Sequence, residues 1–261
     1  MLMRRVFFVI FLFSLYYSIS AQQYNFTNLN VEHGVSQSQV YAIIEDSRGY
    51  LWLGTEGGGI SCFDGIEFIN YTKQDGLSGN QIRCIIEDRE GNLWFGTKDN
   101  FLTKYDGKEF TVYNKKDGLT AQTILSLLQD QHGKIWVGTK NQGLFKFNGN
   151  KFSSQNFYKN SEKSTVNTLY SDDSSRIWVG TEKLGLFVST NKYYRKIHCD
   201  NKKLLEGILV ITKEKNNSLY IGTKKGLFTL KDGIFSRFNS KTKIQSPVHS
   251  VVTEGSKLWI G

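Results

Sequence analysis

Neighbouring carboxylates are the first residues here whose types could do chemistry: Glu45-Asp46, Glu87-Asp88 and Asp172-Asp173. Two acids side by side can divide the work of a general acid and a general base. Their setting favours a plainer task. Each pair closes a run of strand-forming residues and precedes a polar turn, where an Asp side chain readily accepts backbone N–H groups. Recurrence along the chain also spreads the pairs out instead of gathering them. The four histidines, His33, His132, His198 and His249, fall in different local contexts, and no HExxH, CxxC, GxSxG or phosphate-loop motif occurs. Cys62, Cys84 and Cys199 are odd in number and occupy no matched positions, which suits buried free thiols, with a Cys62–Cys84 bridge as the alternative. No catalytic residue, metal ligand or cofactor is assigned.

What the acids share is a period. LWLGT starts at Leu51, LWFGT at Leu93, IWVGT at Ile135 and Ile177, and LYIGT at Leu219, always 42 residues apart; LWIG starts at Leu258, 39 residues later. A repeat of this length with four strands per unit is a propeller blade. The strands are legible one by one. VYAIIED, IRCIIED and ILSLLQD are aliphatic runs ended by a polar turn, and the LWLGT-like segment follows as a second strand. ISCFDG, LTKYDG and LFKFNG end in Asp-Gly or Asn-Gly, the pair suited to a tight hairpin with positive φ, and IEFINYT-like runs supply the fourth strand. The fold class is therefore all-β, a β-propeller of four-stranded antiparallel blades, incomplete, with five full blades plus the start of a sixth. The blades span 40–81, 82–123, 124–165, 166–207 and 208–247, with a partial blade at 248–261. Trp52, Trp94, Trp136, Trp178 and Trp259, with Tyr220 standing in once, occupy one repeat position and are expected to fill the space between blades. The alternative is an aromatic ligand cage. The Gly-Thr that follows is expected where backbones approach closely or turn.

Residues 1–21 have the order of a secretory signal peptide: MLMRR, then VFFVIFLFSLYYSI, then small residues near Ser20 and Ala21. Residues 22–39 align with the fourth strand, since Phe26 and Gly34 lie 42 before Phe68 and Gly76, and read as an outer strand that would close a ring. The chain is thus expected to be exported and to be a piece of a longer protein. Its net charge of +9 is unevenly spread. Residues 22–139 hold 10 Lys/Arg against 15 Asp/Glu, and residues 140–261 hold 21 against 9. Export argues against nucleic acid as the partner of the basic half, which is explained by lysines solvating exposed strands or by an anionic ligand.

Blade after blade reads GLSxNxVxxIxxDxxGxLWxGTxxGLxxYDGxxFxxY, most clearly in DGLSGNQIRCIIEDREGNLWFGT at 75–97. The pattern resembles the two-component regulator propeller repeats of exported sensor regions in hybrid histidine kinases and related one-protein regulators, mostly of Bacteroidetes-type bacteria. The later blades drift, since SDDSSRIW and KEKNNSLY lose the turn glycine and YKNSEKST loses DGLS. The resemblance implies a periplasmic sensor of oligosaccharides within an inner-membrane protein. It implies homodimerisation and a downstream membrane helix leading to a kinase or DNA-binding output in the full-length protein. In this chain it implies no enzyme.

Candidate ligand-binding residues follow from the repeat. The residue after the first β-branched position of strand one is Tyr41, Arg83, Leu125, Asn167, Leu209 or His249. A constant scaffold with a varying rim is what a binding surface needs. Tyr41 offers a ring for a sugar face, and Arg83, Asn167 and His249 offer donors to hydroxyls or carboxylates, with Gln39 and Gln81 one residue before the first β-branched position. Lys98, Lys140 and Lys224 share the position after Gly-Thr, which raises an acidic or otherwise polar small ligand on that face. Two further readings stay open: a protein-interaction scaffold, and, more remotely, a propeller lyase or glycosidase.

Overall fold

The computed structural model describes residues 27–98, 101–121, 123–159, 161–190, 193–199, 205–214, 218–238, 244–255 and 257–261. The signal-peptide segment 1–21 and the start of the expected closing strand lie outside them. Residues 27–39 contain a 3₁₀ turn at Val31–His33 and no strand. His33 caps that turn through its bond with Asn30 (2.8 Å), a structural role.

Five four-stranded antiparallel sheets and one two-stranded sheet follow in chain order, each strand pairing with the next. The inner strands are Val40–Glu45, Ile82–Glu87, Ile124–Gln129, Val166–Ser171 and Ile208–Lys213. Each lies beside the inner strand of the next blade, so the blades stack side by side as a propeller. The sixth sheet holds Val251–Glu254 and Lys257–Ile260. The third-to-fourth hairpins turn at Gly65, Gly107 and Gly149 with φ of 100°, 93° and 103°, the conformation that Asp-Gly and Asn-Gly supply cheaply. In blade four the first-to-second turn lacks glycine, and Ser175 takes the left-handed conformation instead (φ 63°).

Every part of the repeated pentapeptide has a packing task. The aromatic residue is the wedge: Trp52, Trp94, Trp136, Trp178 and Tyr220 are buried in clusters that draw on two consecutive blades. Their indole nitrogens are satisfied by the acid six residues earlier. Trp52, Trp94, Trp136 and Trp178 each donate Nε1–H to Oδ2 of Asp46, Asp88, Asp130 and Asp172 at 2.7–2.9 Å. Oδ1 of each Asp accepts two backbone N–H groups from the turn, such as Arg48 and Tyr50 for Asp46. One carboxylate thus closes the hairpin and holds the wedge. Threonine closes the other end. Thr55, Thr97, Thr139, Thr181 and Thr223 donate their hydroxyls to a carbonyl three or four residues on, at 2.7–3.1 Å.

The expected core role of Trp259 is corrected. It is 42% exposed, with its N–H bonded to Glu254 (3.1 Å), because no further sheet among the described residues packs against it. Two of the other three members of the acid pairs join blades: Glu87 accepts from the backbone and hydroxyl of Ser47, and Asp173 pairs with Lys213. The cysteines are free, and burial pushes the Cys62 thiol up to about 11 and Cys84 to about 12.

These buried carboxylates predict an acid limit to stability. Burial disfavours the charged forms of Asp46, Asp88 and Asp172, but bonds from the indole N–H, from Arg48, Asn92 or Arg176, and from turn backbone outweigh it and hold all three below the usual range. The folded chain therefore binds these protons more weakly than the unfolded chain. Their stabilisation is complete above the unfolded carboxylate value of about 3.9 and is lost as pH falls through the lower folded values. Calorimetric melting temperatures should hold near pH 6 and decline below about pH 4. Asp88→Asn should be less stable at pH 7 and show a shallower acid decline; an unchanged profile would remove Asp88 from this role.

Candidate functional site

The rim is built by a backbone irregularity that recurs at one repeat position. In each of the five full blades the inner strand skips register against the second strand just after its first residue. The skipped residues are Tyr41, Arg83, Leu125, Asn167 and Leu209. A β-bulge bends the strand and re-aims the extra side chain. The same bend therefore presents five different side chains. His249 stands at the matching place in the sixth sheet: it follows Val248, the counterpart of Ile208, and its N–H and that of Ser250 both bond to the carbonyl of Gly261 (2.7 and 3.1 Å).

The residue before each inner strand anchors the bend. The carbonyls of Gln39 and Gln81 accept from the N–H groups of Glu56 and Lys98, at 3.0 and 2.9 Å. Thr123, Thr165 and Gly207 do the same for Lys140, Glu182 and Lys224, at 3.0–3.1 Å. The loop after each Gly-Thr is thereby tied to the bulge.

Two polar clusters stand on this frame. In the first, the Arg83 guanidinium lies 3.8 Å from the Tyr41 ring centroid and 3.2 Å from Glu56, which also takes Lys98 at 3.4 Å. Gln39 donates to the Tyr41 hydroxyl at 2.9 Å. A hydrogen bond from the Tyr41 hydroxyl, ahead of the opposing effect of desolvation and with Arg83 and Lys98 assisting, holds the Glu56 carboxyl below its usual range. Arg83 already covers one face of the ring, so Tyr41, which is 39% exposed, has less surface to stack on a sugar than its bulge position alone suggests. The Gln81 side-chain oxygen is buried with no hydrogen-bond partner among the described residues.

In the second cluster, Asn167 spends its amide on Glu182 and on the carbonyl of Ile208, both at 2.9 Å, and Lys224 pairs with Glu182. The donors expected from Asn167 are thus used within the fold. The structure brings together Tyr41, Arg83 and Gln39, and leaves Asn167 and His249 apart from them. The residues missed in the sequence are Glu56 and Glu182. Both occupy the column after Gly-Thr, 42-residue multiples from Lys98, Lys140 and Lys224. The spacing that marked the lysines marks them as well.

Among the described residues no group of three or more His, Cys, Asp or Glu is placed to hold a metal ion, and no helix is long and apolar enough to cross a membrane.

Three stretches, 34–57, 76–99 and 118–141, match the family described as two component regulator propeller. No curated protein sequence gives a significant match. Among solved structures, the chain is similar to the extracellular domain of BT3049 from B. thetaiotaomicron, assigned to a hybrid two component system. The TM-score is 0.76 at 24% identity, covering 90% of this chain and 34% of that one. The extracellular domain of BT4673 from the same organism, assigned to a one component system, gives 0.70 at 21% identity, covering 87% and 33%. Virginiamycin B lyase from Staphylococcus aureus gives 0.68 at 15% identity, covering 85% and 77%. These likenesses are of fold, and the chain spans about a third of the length of the two extracellular domains. The bulged inner strands, the Asp-to-Trp turns and the matched stretches lead to one identification: the chain is a β-propeller, and its residues 34–57, 76–99 and 118–141 match the two component regulator propeller model.

Proposed function

We propose that this chain is an extracytoplasmic ligand-sensing propeller, part of a longer two-component or one-protein regulator, that recognises oligosaccharides on the face carrying the inner-strand bulges. The observation that carries this reading is the rim. Five bulges at one repeat position present tyrosine, arginine, leucine, asparagine and leucine from a shared backbone. Side chains there can vary without disturbing the wedges that hold the blades, which is how a repeat scaffold acquires specificity. The repeat family, and the extracellular signalling domains that share the fold, support a sensor.

The chain itself carries no reaction in this reading. Five of the six paired carboxylates, Asp46, Glu87, Asp88, Asp172 and Asp173, are occupied by turns, indoles and blade-to-blade bonds, and the histidines stand apart. In the full-length protein, a ligand that bridges blades or protomers would favour one homodimer arrangement over another, and a downstream membrane helix would pass that preference to the output.

Isothermal titration of the whole chain against a panel of neutral and acidic oligosaccharides tests the proposal. One class is expected to bind with Kd between about 1 µM and 1 mM. Tyr41→Ala and Arg83→Ala should each weaken it about tenfold, or about 1.4 kcal/mol, with little change in melting temperature. A panel without a binder would favour the protein-interaction scaffold instead, and full affinity in both variants would move the site off the bulges.

A further inference from the structure

The residues after the five Gly-Thr pairs run Glu56, Lys98, Lys140, Glu182, Lys224 from blade to blade. Glu56 pairs with Lys98, and Glu182 pairs with Lys224. On either side the lysine of the column is thus paired with an acid. Lys140, between them, has no ion-pair partner among the described residues.

Beside Lys140 the rim opens into a cleft of about 530 Å³ between blades three and four. Lys140, Lys163 and Lys183 line it from three separate loops, with Leu125 and Leu184 as its apolar surface. Glu182 is the one carboxylate of the lining, and it is already engaged by Lys224 and Asn167. The cleft therefore carries three ammonium groups against one compensated acid. Its walls are fixed. The Asn141 backbone N–H bonds to the Thr165 hydroxyl (3.1 Å), which in turn donates to the Asn141 side chain (2.8 Å), while the Thr165 carbonyl accepts from the Glu182 N–H (3.0 Å). Asn141 adopts the left-handed conformation (φ 61°) to make this contact. The volume falls within the range of small-ligand sites, about 300–1,000 Å³.

We infer that this cleft is an anion subsite, taking a carboxylate or sulfate ester carried on a sugar ring whose C–H face rests on Leu125 and Leu184. The sugar part rests on the proposed rim function; the anionic part rests on the lysines alone. Lysine acts as a point charge and not as a planar fork, so the cleft reads negative charge more than the shape of the acid. Arg83 and Lys98 are the weaker anion site, because both pair with Glu56 and leave one net positive charge against the three lysines of the cleft.

The test uses the whole chain titrated with three probes: tetragalacturonate, its fully methyl-esterified neutral form, and a sulfated galactan oligosaccharide. At least one acidic probe is expected to bind. Where it is the uronate, the methyl ester should bind at least tenfold more weakly. Lys140→Gln combined with Lys183→Gln should reduce acidic binding tenfold or more. Lys98→Gln, a cation already paired, should change it less than twofold. Affinity should also fall on raising ionic strength from about 0.01 M to 0.15 M, where screening sets in within about 8 Å. Lys140 and Lys183 are exposed and Lys98 is half-buried, and none of the three packs in the core, so the variants keep the fold. Uronate binding assigns a carboxylate, and binding of the sulfated probe alone assigns a sulfate ester. Equal binding of the uronate and its methyl ester, full affinity in the double variant, or no binding by either acidic probe overturns the inference. Neutral oligosaccharides that still bind in those cases leave the rim function standing.

Discussion

Trp52→Ala is expected to cost about 3–5 kcal/mol, the range for removing a buried large aromatic, and to lower the melting temperature by roughly 10 °C. Trp52 is 1% exposed. It lies nearly parallel to Tyr71 of its own blade, with centroids 6.0 Å apart and planes at 17°, and meets Phe95 and Tyr105 of the next blade at 5.9 Å each. Deleting the indole empties the space between the two sheets and strips buried Asp46 of one hydrogen bond. Trp178→Ala is the matched comparison. At the repeat position of Tyr105, blade five has Leu230, and a cavity of about 420 Å³ already opens beside Trp178 and Leu230. With less packing to lose, Trp178→Ala should cost at least about 1 kcal/mol less, since the penalty follows how well a site was filled. Trp52→Phe should recover part of the loss by restoring the wedge without the N–H donor. Urea midpoints of the three variants settle the order, and a Trp178 penalty equal to that of Trp52 would sink the wedge account.

The blades were legible in the sequence because each level of the repeat pointed to the same unit. The 42-residue period set the blade length, Asp-Gly and Asn-Gly marked the hairpins that turn at Gly65, Gly107 and Gly149, and one aromatic per unit marked the wedge. The Asp-to-Trp bond was half visible. Asp46 was read as a turn residue and Trp52 as core, but a contact across a hairpin depends on which way two side chains lean, and strand alternation alone does not give that. The bulges were less visible still, because Val40-Tyr41-Ala42 and Ile82-Arg83-Cys84 read as uninterrupted strand while their pairing skips a residue. The contact of Arg83 with Tyr41 was recoverable in principle, since equivalent positions on consecutive blades are neighbours on the rim. Glu56 and Glu182 were missed by attending to the lysines of their column and not to the whole column. Trp259 shows the limit of reading a repeat position as a role: the wedge is buried only when a second sheet lies over it.

Gly138→Ala, a change of one methyl group, should be nearly as damaging for its size, at about 1–3 kcal/mol by overpacking. The glycine of each pentapeptide sits where the next blade's inner strand comes closest. A Cβ on Gly138 would fall 2.2 Å from Ser126 Oγ in its own blade, and 2.8 and 3.0 Å from Cγ1 and the carbonyl oxygen of Val166 in the next. A Cβ on Gly54, Gly96, Gly180 or Gly222 would likewise meet Ile82, Ile124, Ile208 or Val248 of the following blade. The serine hydroxyl can rotate away, but the Val166 carbonyl is backbone and moves only if the blades separate. That asymmetry makes the effect testable as a coupling. Val166→Ala alone should cost about 1–2 kcal/mol through lost burial. Combined with Gly138→Ala it frees the Cγ1 contact, so the double variant should lose less than the sum of the single losses by about 0.5 kcal/mol or more. Relief stops short of complete because the carbonyl contact remains. Strict additivity in urea denaturation would mean that the glycine answers to its own hairpin and not to the neighbouring blade, and the spacing between inner strands would then need another cause.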